Sequence, residues 1–229
     1  MYALKVWRDP YCTGFNITAA EEVILNEGVT VLVGCNGAGK STFLLNVKEE
    51  CKKEELPFFE YNNLVDGGNN SLDNLMFFGK LSAGEFASRV FSSEGENISA
   101  NLGDMVAKLS KFIATGKSPF KIGLGNDESI ISNKRFILLD AVDSGYSIDN
   151  IIDLKGLFNV IIEDAKRQNV EVYIIISANE YELANGENCL DVVSGDYIKF
   201  SDYEDFKRFI LKTREEKEKR YEKLEKKEE

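Results

Sequence analysis

The segment Val29-Thr30-Val31-Leu32-Val33-Gly34-Cys35-Asn36-Gly37-Ala38-Gly39-Lys40-Ser41-Thr42 carries the most specific structural information in this chain. Residues 29–33 are apolar or β-branched, which is typical of a buried strand in a parallel sheet. Residues 34–41 fit the pattern G-x-x-x-x-G-K-[ST] at every required position, and helix-forming residues begin at Ser41. A strand, a glycine-rich turn and a helix in this order predict a phosphate-binding loop.

The residue types in this loop match the chemistry of a chelated triphosphate. Glycines let the backbone turn its N–H groups inward around a β-phosphate, and the N-terminus of the following helix adds a favourable dipole. Lys40 can reach the β- and γ-phosphates, and the Ser41 hydroxyl can ligate Mg²⁺. The sequence therefore predicts binding of ATP with Mg²⁺. The residues assigned to the nucleotide are Gly34, Asn36, Gly37, Ala38, Gly39, Lys40, Ser41 and Thr42.

A second segment, Phe136-Ile137-Leu138-Leu139-Asp140, supplies the expected partner of the loop. Its apolar residues predict a buried strand that ends at a carboxylate. An aspartate in this position is expected beside the phosphate loop, where it holds Mg²⁺ through water. Aspartates after buried strands are also common as helix caps or turn residues. The preceding phosphate loop favours Asp140 as a metal residue.

Apolar and helical segments alternate along the chain. The apolar runs are 29–33, 136–139 and 172–176, and the helical stretches are 41–55, 98–115 and 150–168. This alternation predicts an α/β fold in which helices flank a mainly parallel sheet. Strands at 2–7 and 57–61 are expected to complete the sheet. We place a nucleotide-binding domain at 1–201, with a helical insertion at about 72–134.

The end of the sequence has a different composition. Residues from 202 onward are helix-forming, and from 214 onward they are almost entirely Lys and Glu. We interpret 202–229 as a solvated charged helix with i,i+4 ion pairs, or as a frayed tail, rather than as a coiled coil or a partner-binding element.

Composition excludes several classes of function. The formal net charge is −11, which argues against a broad nucleic-acid-binding surface without excluding a local basic patch. The chain has no histidine, and its cysteines lack the pairwise spacing of a zinc site or a disulfide framework. No leader and no membrane-length apolar run are present in the sequence. We therefore expect a cytoplasmic protein without a membrane partner.

The loop in the form G-x-N-G-x-G-K-S-T, with Asn36 and Thr42, resembles the ABC-type ATPases. Asp140-Ala141-Val142-Asp143-Ser144-Gly145-Tyr146-Ser147-Ile148-Asp149 is similar to the Walker B and D-loop passage of that superfamily, in the D-x-x-D-S-G-L form of stand-alone, SMC-like bacterial and phage members. The resemblance covers roughly residues 2–195. It implies a P-loop NTPase fold with an antiparallel β portion near the N-terminus and a helical signature segment.

The resemblance further implies a head-to-tail homodimer in which a signature motif contacts the nucleotide of the opposite subunit. The candidates are Ser82-Ala83-Gly84-Glu85 and Ser93-Glu94-Gly95-Glu96. We favour the second and assign Ser93 and Gly95 to the nucleotide, although either segment also fits an ordinary helix start with a capping box. Tyr11 or Phe15 is expected to stack on adenine, or to lie in the core.

This chain departs from the family where hydrolysis is catalysed. Ala141 stands where active members usually carry a glutamate, and alanine can neither accept a proton nor orient water. Asp143 is the nearest replacement, and a turn-capping role fits it equally well. Ser177-Ala178-Asn179 occupies the stretch of the switch histidine, and Asn62 and Asn63 that of the Q-loop glutamine. We assign catalysis to Lys40 and Asp143 and expect it to be slow.

Several functions remain open at this point. The leading interpretation is an ATP-dependent dimerising switch with slow Mg²⁺-dependent hydrolysis and an unidentified protein partner. The alternatives are a nucleotide-bound scaffold that does not hydrolyse ATP, a transporter ATPase subunit and a DNA-maintenance ATPase. Missing catalytic residues argue against the transporter subunit. The short span between the Walker motifs, without sustained heptads, argues against the DNA-maintenance enzyme.

Overall fold

The computed structural model describes residues 1–8, 19–62, 108–117, 132–144 and 146–228. The strands are β1 (Tyr2–Lys5), β2 (Glu22–Leu25), β3 (Gly28–Val33), β4 (Phe58–Asn62), β5 (Lys134–Asp140), β6 (Glu171–Ser177), β7 (Cys189–Asp191) and β8 (Tyr197–Ile198). The helices are α1 (Lys40–Lys53), α2 (108–115), α3 (Ile148–Arg167), α4 (Tyr181–Ala184) and α5 (Tyr203–Glu228).

The main sheet is mostly parallel. Its order is β4-β5-β6-β3-β7-β8, and only β8 joins its neighbour in the antiparallel direction among these described strands. One strand, β6, lies between β3, which leads into the glycine-rich turn, and β5, which ends at Asp140. Since parallel strands end at the same edge of a sheet, the residues that follow β3, β4, β5 and β6 are brought together.

The central strands are buried on both faces, which explains their continuous apolar sequence. Alternate residues of β5 and β6 enter two separate cores. Phe136 and Tyr173 pack in the core under α1 and the β1-β2 pair, where their rings stack at 4.8 Å. Ile137 and Ile174 point to the other face, in the core formed with α2, α3, α4 and α5. The two cores hold the sheet rigidly between layers of helices.

The sequence predicted the central architecture correctly. The strands expected at 29–33, 57–61, 136–139 and 172–176 are β3, β4, β5 and β6, and the helices expected at 41–55 and 150–168 are α1 and α3. Of the helix expected at 98–115, the described part is helical from 108. The rest of it lies outside the described residues, as does most of the insertion at about 72–134.

Two predictions about the ends of the chain were wrong. The first strand does not extend the main sheet, because β1 pairs antiparallel with β2 in a separate two-stranded sheet. The start of α5 is not a solvated helix, because Phe206 and Thr213 are only 5% and 4% exposed. Phe209 and Ile210 also pack on the core, which gives α5 an inward face with helical spacing.

Among the described helices, none has the length and apolarity needed to cross a bilayer.

Candidate phosphate-binding site

The glycine-rich turn joins the end of β3 directly to the start of α1. Gly37 and Gly39 have φ angles of +75° and +107°, in the left-handed region that favours glycine. Gly34 allows close packing, since a Cβ at this position would lie 2.9 Å from the Cβ of Ala38. Gly39 is the N-cap of α1 and provides no side-chain cap. The first N–H groups of α1 therefore have the arrangement of an anion site at a helix N-terminus.

The ammonium group of Lys40 lies inside this turn. The side chain is 9% exposed, and its Nζ donates to the carbonyl of Gly34 at 2.9 Å and to that of Cys35 at 3.5 Å. Burial lowers the pKa of Lys40, because desolvation penalises the charged form. The side chains of Cys35, Asp143 and Asp140 act in the opposite direction. Both carboxylates therefore lie close enough to Lys40 to stabilise its charge.

Asp140 is held by side chains from the two strands beside it. Its Oδ1 accepts a hydrogen bond from the Ser177 hydroxyl at 2.5 Å, and its Oδ2 lies 3.4 Å from the amide nitrogen of Asn62. The Ser177 oxygen in turn accepts the N–H of Ala141 at 2.8 Å. Asn62 is the register partner of Asp140 across the β4-β5 pair. The sequence pointed to each segment but did not show that Ser177 orients the carboxylate.

The donor set at this edge of the sheet fits Mg²⁺. Ser41 has an exposed side chain in the first turn of α1, and Asp140 has a half-buried carboxylate at the end of β5. Hydroxyl and carboxylate oxygens are the ligands that Mg²⁺ prefers, and it usually takes its remaining ligands from water and substrate phosphates. The residues present are therefore compatible with a magnesium ion shared with a bound polyphosphate.

Asp143 is 2% exposed and acts as an anchor for the loop after β6. One of its oxygens accepts the backbone N–H groups of Asn179 at 2.6 Å and Glu180 at 2.8 Å. The other lies 3.5 Å from the side-chain nitrogen of Asn179. The side chain thus caps residues 179–180 rather than its own turn. Its predicted catalytic role stays a prediction.

An open groove of about 600 Å³ lies beside this anchor. It is lined by Asp143, Ser144, Tyr146, Ser147, Asn179 and Glu180. Burial raises the pKa of Tyr146, because the phenolate is desolvated there. Polar groups from the turn after β5 and from the loop after β6 share this groove.

The last helix also contacts the glycine-rich turn, which sequence reasoning missed. Thr213 Oγ1 accepts the N–H of Cys35 at 3.1 Å, and Lys217 Nζ donates to the carbonyl of Asn36 at 2.7 Å. The spacing of Thr213 and Lys217 is i,i+4, so both lie on the inward face of α5. The only sequence feature that pointed to this contact was Thr213, which continues the helical spacing of the apolar residues Phe206, Phe209 and Ile210.

The structure gathers most of the predicted site residues in one place. The turn and the first turn of α1 carry Gly34, Asn36, Gly37, Ala38, Gly39, Lys40, Ser41 and Thr42. Asp140 and Asp143 lie at the end of β5 and in the turn after it, at the same edge of the sheet. The remaining predicted residues lie outside the described ranges: Tyr11, Phe15, Asn63, Ser93, Gly95 and the segment Ser82-Ala83-Gly84-Glu85.

A scan against models of protein families finds no matching family. A search of curated proteins finds no significant match.

Proposed function

We propose that this protein binds ATP with Mg²⁺ and works as an ATP-dependent dimerising switch of the ABC-like ATPase type, with slow Mg²⁺-dependent hydrolysis. The observation that carries this proposal is the buried Lys40 ammonium, which donates to the Gly34 carbonyl at the N-terminus of a helix without a side-chain cap. A desolvated cation beside the first N–H groups of a helix favours a polyanion.

Different residues of the turn would bind different parts of the triphosphate. Backbone N–H groups of residue 37 and of 39–42 receive the β-phosphate, whereas the Ala38 N–H donates to the Cys35 carbonyl at 3.0 Å. Lys40 exchanges a carbonyl partner for the β- and γ-phosphate oxygens. Ser41 and Asp140 would hold Mg²⁺, which when bound neutralises charge on those phosphates. Ser177 and Asn62 keep the Asp140 carboxylate oriented toward this edge of the sheet. These roles require no movement of the sheet, because the strand ends are already adjacent.

The dimeric part of the proposal rests on the resemblance to ABC-type ATPases. In it, two subunits associate head to tail, Ser93 and Gly95 contact the partner's nucleotide, and Tyr11 stacks on adenine. Bound ATP then favours the associated state because it contacts both subunits there. Light scattering with and without Mg²⁺-ATP measures this association. A monomer under saturating nucleotide would contradict it.

A second candidate function is a nucleotide-bound module that does not hydrolyse ATP. The observation that favours it is the occupation of the Asp143 carboxylate by the N–H groups of Asn179 and Glu180. With Ala141 at the preceding family position, no free carboxylate follows Asp140 within 141–144 to orient water. Release of phosphate by the purified protein separates the candidates. A rate equal to that of a Lys40→Ala variant supports the second.

Substitution of Lys40 tests nucleotide binding itself. Mg²⁺-ATP at about 100 times its Kd should stabilise the wild-type protein by about 2.7 kcal/mol, because only the folded state binds it. We expect Lys40→Ala to lose this stabilisation in thermal unfolding. Lys52→Ala, which changes an exposed lysine of the same helix, serves as the control and should keep it. Stabilisation of Lys40→Ala equal to wild type would place the site elsewhere.

A further inference from the structure

Side chains on the inward face of α5 contact the glycine-rich turn. The Lys217 side chain is half-buried, and its Nζ lies 2.7 Å from the carbonyl oxygen of Asn36. A Cβ at Gly37 would come within 3.2 Å of the same nitrogen. The ammonium group therefore lies against the exposed middle of the turn, where a larger residue at 37 would displace it.

The turn is consequently held by cations on successive carbonyls. Lys40 binds the carbonyls of Gly34 and Cys35, and Lys217 binds that of Asn36. Carbonyls that face ammonium groups cannot also face a phosphate. The Asn36 oxygen stays bound to Lys217 when Lys40 moves to the phosphates, so this peptide group keeps the orientation required when the following N–H groups bind an anion.

Thr213 provides a second link between α5 and the turn. Its hydroxyl accepts the N–H of Cys35 and donates to the carbonyl of Ile210 at 2.9 Å, so both of its hydrogen-bonding roles are used. At 4% exposure this bond is shielded from water. The Cys35 N–H is therefore directed toward α5 and away from the phosphate side of the turn.

The start of α5 is firmly attached to the rest of the molecule. Phe206 contacts the rings of Phe200 at 5.1 Å and Tyr181 at 5.7 Å between centroids. Other basic residues of α5 pair with acidic residues of the same helix: Lys207 with Glu204, Arg208 with Asp205, Lys212 with Glu216 and Arg214 with Glu218. Lys217 instead directs its charge to the turn.

We propose that Lys217 and Thr213 are positioning residues of the phosphate site, with Lys217 as its second cation. This inference rests on the proposed function, because it concerns binding of a nucleotide at the same turn. The two residues hold the Cys35-Asn36-Gly37 backbone in the conformation that receives the β-phosphate, and Lys217 adds positive charge beside it. Because they act through the turn, they should affect ADP and ATP equally.

The test measures the Kd of Mg²⁺-ADP and of Mg²⁺-ATP by calorimetry in Lys217→Met, Lys217→Arg and a control. Lys217→Met keeps the length of the side chain but removes its charge and donors. We expect about tenfold weaker binding of both nucleotides, because the turn is then no longer held in the binding conformation and the positive charge beside it is lost. Lys217→Arg should recover most of the affinity. Lys219→Met changes an exposed lysine of the same helix and should bind like wild type.

A matched pair of substitutions at position 213 tests the same proposal independently through the Kd of both nucleotides. Thr213→Val keeps the shape but removes the acceptor for the Cys35 N–H, and should also weaken both nucleotides. Thr213→Ser keeps the hydroxyl and should bind within about threefold of wild type. The melting temperature of Lys217→Met without nucleotide shows whether that variant folds. If it folds poorly, the pair at position 213 still tests whether contacts of α5 with the turn support nucleotide binding.

The outcomes separate this inference from the proposed function. If the wild-type protein binds neither nucleotide, both proposals are overturned. If the wild type binds and Lys40→Ala does not, while Lys217→Met and Thr213→Val bind like wild type, the inference alone is overturned. Weakening of ATP but not of ADP would also overturn it, because Lys217 would then act on the γ-phosphate rather than through the turn.

Discussion

At the residue scale, Ala141 and Asp143 lie in the turn that directly follows β5. Ala141 has a φ of +51°, in the left-handed region that non-glycine residues seldom adopt. Its N–H is bound by Ser177, and the turn that follows closes through the Ser144 N–H and the Ala141 carbonyl at 3.0 Å. This backbone delivers Asp143 to the loop after β6. The backbone at position 141, where the resemblance to ABC-type ATPases implies a glutamate, is therefore structurally defined.

Ala141→Glu should restore a carboxylate that can act on water. The backbone strain at φ +51° is similar for alanine and glutamate, since both carry a Cβ, so we expect the variant to fold. General-base catalysis contributes about 10²–10⁴-fold in enzymes, and we expect phosphate release to increase at least about tenfold. Steady-state phosphate release with Mg²⁺-ATP measures it.

Ala141→Gln is the control for this experiment, because it has the same size but no carboxylate. It should stay at the wild-type rate. Equal rates in the glutamate and glutamine variants would contradict the expectation that a carboxylate at position 141 promotes hydrolysis.

At the scale of elements, α1 and α3 end in the same way. In α1, Leu56 N–H bonds to the Cys51 carbonyl at 2.8 Å and Glu55 N–H to the Lys52 carbonyl at 3.3 Å, which forms a Schellman motif. Glu55 occupies the left-handed position of this motif with a φ of +54°. Asn169 takes the equivalent position after α3, with a φ of +55°. Asparagine tolerates this conformation better than glutamate does.

Glu55→Gly should therefore stabilise the protein. Glycine adopts positive φ without a Cβ penalty, and we expect a gain of about 0.5–1 kcal/mol in the free energy of unfolding. Urea unfolding with an unchanged m-value measures it. Lys52→Gly, inside the last turn of the same helix, should lose about 1 kcal/mol instead. A loss in both variants would show that the Glu55 side chain makes a favourable interaction that outweighs the strain.

At the scale of the whole molecule, the described residues form a main sheet with a core on each face and a separate two-stranded sheet, and several ionisable groups are buried in those cores. Cys51 and Cys189 are fully buried, and burial raises the pKa of each thiol to about 12. Burial also raises the pKa of Tyr2 and Tyr173, whose hydroxyls donate to Glu54 and Glu171. All of these groups stay protonated in the folded state at a pH where they ionise in the unfolded chain.

Stability should consequently fall at alkaline pH. A group whose folded pKa is raised keeps its full contribution below the unfolded pKa and loses it as pH rises toward the folded pKa. For the thiols this window runs from pH 9 to about 12. Together they should lower the free energy of unfolding by roughly 2–3 kcal/mol between pH 8 and 10. Urea unfolding under reducing conditions at both pH values measures the loss.

The double variant Cys51→Ala, Cys189→Ala isolates this contribution. It should lose less stability than wild type over the same pH interval, since its unfolded chain lacks these thiols. An equal loss in both proteins would assign the pH dependence to other groups. Lys40, whose pKa is lowered by burial, acts in the opposite sense and is present in both.

The sequence alone determined the glycine-rich turn, the strand before it, the helix after it and the central strands of the sheet. These features depend on neighbouring residues, because positive φ angles, apolar runs and helix starts are set within a few positions of the chain. Gly34, Lys40 and Asp140 could therefore be assigned from the order of residues around them. The helix predicted at 150–168, which the structure has at Ile148–Arg167, likewise needed no tertiary information.

Only the tertiary structure decided which distant side chains complete the site. Ser177 reaches Asp140 across 37 positions, Asn62 reaches it across 78, and Lys217 reaches Asn36 across 181. Such contacts follow from strand order and from the docking of α5, which local sequence does not encode. Lys217 is one of many lysines in a charged helix, so its sequence context indicates a solvated residue. Only the docking of α5 shows that it contacts the turn. The sequence thus showed the glycine-rich turn directly, whereas the distant side chains that support this turn were identified only from the packing of the fold.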